Sequence, residues 1–239
     1  MRGQSSVVGV ALLVGLTVVS LGALTTGVGM IVEEHASRAD AARVAADLDA
    51  AVNPVETTGR HRERVAFADG SLRTVERDLR VLDATDGEVI ERIRVGALVF
   101  ESGDSRVASV SGAVLRGRGE GATLRTPPPV TASTGGGGVL IVGAAPLGTD
   151  GVTVSGSGGT TTTLRTNVTH ARTDLGLGTF AVAIETATPD PVASWFAEQG
   201  ARTRVEDIDG DGVPSAVARF EGERRAYLVV HDLDLEVGG

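Results

Sequence analysis

From Gly3 to Val32 the chain carries no charged residue, and from Val7 onward almost every position is Val, Leu, Ala, Gly or Thr. At about 1.5 Å per residue, ~20 such residues cross a bilayer core, so the pattern predicts a transmembrane helix over 4–32. After Val32 the sequence turns polar without a helix breaker. Ala41, Val44, Ala45, Leu48 and Val52 then recur at the spacing of one helical face, which predicts that the helix continues as an amphipathic segment over 33–53. Asn53-Pro54 ends it, because the residue before a proline is pushed out of the α region. Only Arg2 and the amine precede the apolar run, and Glu33 and Glu34 follow it, which favours a cytoplasmic N-terminus with the rest of the chain outside. The run is longer than the ~7–15 apolar residues of a secretory signal and lacks an Ala-x-Ala site. A simple uncleaved anchor fits the hydropathy equally well.

From Arg62 onward the periodicity falls to two. Val75, Leu79 and Val81 share one parity and Val89, Ile93 and Val95 another, with Asp83-Ala84-Thr85-Asp86-Gly87 between them as a hairpin loop. Ser102-Gly103-Asp104 separates the next two runs in the same way. Residues 117–138, rich in Gly, Pro, Thr and Arg, read as a loop or hinge. Strands resume at Val139–Ala144, Val152–Ser155, Thr160–Thr169 and Thr179–Thr186. One further helix is expected, capped by Asp190, with Pro191 in its first turn, Trp195 and Phe196 facing the core, and Gly200 closing it. The predicted architecture is therefore a long transmembrane and amphipathic helix followed by a mainly antiparallel β domain over 54–239, a sandwich-like sheet structure of about eight to ten strands.

Composition removes several chemistries. All 22 basic residues are Arg, so neither a Walker-type phosphate loop nor Schiff-base catalysis has its lysine. The absence of Cys excludes disulfides, thiolate catalysis and Cys-ligated metals. A net charge of −9 argues against nucleic acid as a partner.

The sharpest local motif is Asp207-Ile208-Asp209-Gly210-Asp211-Gly212-Val213-Pro214-Ser215. Alternate Asp side chains in a Gly-rich turn, with Ser215 completing the set, can converge oxygens on a hard cation such as Ca²⁺. The second half of a calcium loop is missing, since Ala218 stands where a bidentate Glu belongs, and a solvated acidic turn between two strands is the alternative. Asn167-Val168-Thr169 is an N-glycosylation sequon for an exported domain. The four histidines, His35, His61, His170 and His231, show no metal-ligand spacing, and no catalytic constellation is visible, so no enzymatic role is expected.

The start of the chain, Arg2-Gly3-Gln4-Ser5-Ser6-Val7-Val8-Gly9-Val10-Ala11-Leu12, resembles that of archaeal type IV pilins and archaellins, in which a short basic leader ending in Gly precedes an unbroken apolar helix. The resemblance implies that residues 1–3 are a leader cut by prepilin peptidase between Gly3 and Gln4. It implies a pilin-like architecture, a membrane-anchored structural or cell-surface role, and partners comprising the bilayer, a membrane platform and sister subunits. Its localisation would be single-pass in the membrane, with the β domain extracellular and placed in a pilus where the subunit polymerises. Val8 stands at the fifth mature position, where many of these proteins carry Glu, which points to a minor pilin or pseudopilin. An acidic, Lys-free composition also resembles that of proteins from salt-loving organisms. The competing role is a membrane-tethered β domain that binds an ion, a glycan or an envelope component.

Overall fold

A computed structural model describes residues 4–52, 57–133 and 138–238, with side chains described outside 4–11, 23–34 and 120. Helix α1 runs Gln4–Val52. The strands that follow are β1 (Gly59–Val75), β2 (Asp78–Asp83), β3 (Val89–Arg94), β4 (Ala97–Ser102), β5 (Ser105–Val110), β6 (Ala113–Arg116), β7 (Thr123–Thr126), β8 (Val130–Ala132), β9 (Val139–Ala144), β10 (Thr153–Gly178) and β11 (Phe180–Glu185). Helix α2 (Asp190–Glu198) precedes β12 (Arg202–Glu206), β13 (Ser215–Arg219), β14 (Arg224–Asp232) and β15 (Glu236–Gly238).

Ten strands form one sheet in the order β7-β6-β5-β4-β1-β10-β14-β9-β8, with β15 also paired to β10, and five form a second in the order β12-β13-β11-β2-β3. The pairs are antiparallel except β14 with β9, which is parallel. The larger sheet is the middle layer. β4 shows why: Ala97 and Val99 point into the core shared with the smaller sheet and α2, while Leu98 and Phe100 point to the opposite face. A strand buried on both faces reads as a continuous apolar run, which is what Ala97–Phe100 is.

The opposite face holds the lower half of α1. Ala41, Val44, Ala45, Leu48, Ala51 and Val52 are buried against Val65, Phe67, Leu72, Phe100, Val107 and Val114. Burial of a Leu such as Leu48 contributes ~1.5–3 kcal/mol. Polar contacts fix the helix lengthwise. Ala68 N–H donates to Asp40 at 2.6 Å and Ala66 N–H to Asp47 at 3.3 Å, while Ser37 Oγ donates to the Ser102 carbonyl at 2.6 Å. Gly70, at φ 134°, lets β4 come close, because a Cβ there would sit 2.5 Å from the Glu101 carbonyl oxygen.

Several expectations are corrected here. Among the described residues no helix is long and apolar enough to cross a membrane. The transmembrane helix, the single-pass placement with an extracellular β domain, and the membrane, cell-surface and pilus assignments thus lose their basis. The pilin-like, sandwich-like domain of eight to ten strands is replaced by fifteen described strands in two sheets, including a parallel pair. Residues 117–138 are not simply a hinge, since they contain β7 and β8. Asp190 is the first residue of α2 and not its cap, which is Pro189. Gly3 and Asn53-Pro54 lie outside the described residues.

Candidate functional site

The smaller sheet ends in a row of polar residues. Glu206 faces Ser215, Ser215 faces Glu185, and Asp78 faces Arg94, while Ile184 opposite Leu79 carries the same register across to Glu185 and Asp78. Because side chains alternate along a strand, Leu79 and Ile184 enter the core and Asp78, Arg80 and Glu185 take the outer face. Arg80 is nevertheless 1% exposed. Its Nη2 donates to Asp78 at 3.0 Å and to Glu185 at 3.3 Å, and it also bonds Asp209. Arg92 adds Nε to Asp78 at 2.6 Å and Nη2 to Asp209 at 3.3 Å, and Arg77 lies 3.7 Å from Glu185.

What buries Arg80 is the acidic turn itself. The connection between β12 and β13 folds back over the outer face, where Ile208 packs with Leu82, Ala181, Ala183 and Val217. Asp207 closes the turn by accepting Gly210 N–H at 2.9 Å and Gly212 N–H at 3.0 Å, and Asp211 accepts Val213 N–H at 2.8 Å. Gly210 and Gly212 have φ of 74° and 86°, which only glycine adopts without strain.

The charges are close to balance at the base of the turn and unbalanced at its tip. Burial pushes the Glu185 carboxyl above its ordinary value, and Asp211 adds to this, against the pull of Arg77 and Arg80. The bond to Asp78 raises the Arg92 guanidinium. The structure brings Asp207, Asp209 and Asp211 within 4.8 Å of one another, and it also groups Asp209 with Asp78 and Glu185. Ser215 stands at the root of the turn, fully buried, with its Oγ unbonded among the described residues. A cation at the tip would have to share Asp209 with two guanidinium groups. The arrangement is thus an acidic turn clamped to a sheet by a buried arginine, with two carboxylates left facing solvent.

Arg80, Asp78 and Glu185 were not singled out from the sequence. The one local signal is the charged pair Asp78 and Arg80, two residues apart in a strand that is otherwise buried. Asn167 is exposed on β10 opposite Arg60, and it lines a cleft of about 460 Å³ with Arg60, Arg62, Arg165 and Asp234. Gln4, the other residue of the implied processing site, begins α1.

The molecule is thus a two-sheet β protein with a helix seated on the larger sheet. It belongs to DUF7289, a family of unknown function that matches residues 2–236. No curated protein and no solved structure matches the chain. The family's description names no organism, so it lends no support to the archaeal and salt-loving reading of the composition.

Proposed function

We propose that this chain is a structural protein that assembles with copies of itself through the projecting half of α1, displaying the two-sheet domain at the outside of the assembly. One observation carries the reading. Leu12, Leu13, Val14, Leu16, Val18 and Val19 are 54–69% exposed, and at 100° per residue they cover every side of the helix. A helix that is apolar all round is stable when surrounded, and a flat partner would cover one side only. A bundle of like helices covers all of them. The lower half of α1 is fixed to the sheet, so the projecting half is held out as a joint rather than folded back. The resemblance of residues 2–12 to archaeal pilins and archaellins supports the reading at the level of this helix and of sister copies as partners.

Analytical ultracentrifugation and electron microscopy of the full chain test it. Ordered oligomers are expected, and Leu16→Glu with Val19→Glu should give monomers with an unchanged melting temperature. A wild-type chain that stays monomeric overturns the proposal.

A further inference from the structure

The central strands of the larger sheet bring together two histidines that lie far apart in sequence. His170 of β10 stands directly opposite His231 of β14. Directly opposed residues in an antiparallel pair project from the same face with Cβ atoms about 5 Å apart. The two rings meet edge to face, with centroids 5.0 Å apart and planes at 85°. Their Nδ1 atoms are 3.0 Å apart. His231 is 8% exposed, whereas His170 reaches solvent.

We propose that this pair is a binding site for a divalent late first-row transition-metal ion, held by the two Nδ1 atoms with water completing its coordination. Imidazole nitrogen is the ligand such ions prefer in a chain without thiolates. With metal–nitrogen distances of about 2.05 Å, nitrogens 3.0 Å apart subtend about 94° at the ion. The bite therefore matches adjacent positions of a square-planar or octahedral ion, the geometry of Cu(II) and Ni(II). The β1–β10 ladder ends at Val168 and the β14–β9 ladder at Val230, so the pair is held by the β10–β14 ladder itself, with Thr169 opposite Asp232 on one side and Ala171 opposite Val230 on the other.

In the metal-free pair one Nδ1 carries a proton and donates it to the other. To take the ion, the donating ring passes that proton through solvent to its own Nε2, so both Nδ1 lone pairs turn to the metal. Two neutral rings remain neutral, and no oxidant or net proton is required. The open side at His170 admits the ion and its waters.

The test is titration of the full chain with Cu(II) chloride at neutral pH, followed by electron paramagnetic resonance. One equivalent bound with coupling to two nitrogens is expected, unchanged in His35→Ala and His61→Ala. It should be lost in His170→Ala, an exposed position that leaves the buried His231 in place. Ni(II) should raise the melting temperature of the wild type and not that of His170→Ala. Copper binding that is the same in wild type and His170→Ala, or coupling to a single nitrogen, overturns the proposal.

Discussion

The carboxylate of Asp40 on α1 accepts the backbone N–H of Ala68 at 2.6 Å, at the point where β1 loses its register with β10 between Phe67 and Asp69. A bulge leaves a backbone donor without a strand partner. Asp40, 7% exposed, supplies the acceptor and so ties the helix to the irregularity in the sheet.

Asp40→Ala should therefore cost about 1–3 kcal/mol, the penalty of a buried donor left unsatisfied. Urea unfolding checks this. A change within experimental error would mean that water replaces the carboxylate.

Removing Arg80 should be severe. Arg80→Met would leave Asp78, Glu185 and Asp209 facing one another without their shared guanidinium, at a cost of about 3–5 kcal/mol. Arg92, whose side chain is 58% exposed, should lose no more than about 1 kcal/mol on the same change. Equal losses in the two variants would contradict the view that Arg80 is the clamp.

Glu185 gives a pH signature. Its carboxyl is raised in the folded state by burial first and Asp211 second, so the folded protein holds more protons there than the unfolded chain. Ionising Glu185 then costs stability as pH rises through the interval between the unfolded and folded values. Glu101 and Asp174 act oppositely. Burial lifts Glu101, but Arg73, Arg118 and Arg106 outweigh it, and Arg225 holds Asp174 down. Their contribution is present above the unfolded values and fades as pH falls through the folded ones. Glu185→Gln should match the wild type near pH ~4 and equal or exceed its stability at neutral pH. Denaturant unfolding at both values decides it, and a Gln variant that loses ground as pH rises would contradict this account.

Calcium at the acidic turn would compete with guanidinium for Asp209. With Arg80 already acting as counterion, millimolar calcium should leave the melting temperature where chelator leaves it. A rise abolished by Asp211→Asn would show instead that the turn holds the ion, by preferential binding to the folded state.

Parts of this architecture are legible in the sequence. The stripe Ala41, Val44, Ala45, Leu48 and Val52 is the buried face of α1, because helical spacing and burial coincide there. The loop at Asp83–Gly87 closes β2 onto β3 through Asp83 N–H to Glu88 and Gly87 N–H to Asp83. Long-range pairing is not legible in the same way. Thr131 opposite Ile141 and His170 opposite His231 depend on which distant strands meet, and no local periodicity encodes that. The same limit hid Arg80, whose burial is produced by a turn 129 residues away. Hydropathy alone assigns an uncharged run to lipid, although helices packed among helices have the same composition.

The chain contains no cysteine, so a single Val19→Cys variant reports contacts of the projecting helix against no background. Val19 is 69% exposed, and Arg202 on β12 is exposed at the edge of the smaller sheet. Under mild oxidation Val19→Cys should form disulfide-linked dimers between copies of the chain, and Arg202→Cys should remain monomeric under the same conditions. Equal cross-linking of the two variants, or none in Val19→Cys, would contradict assembly through α1.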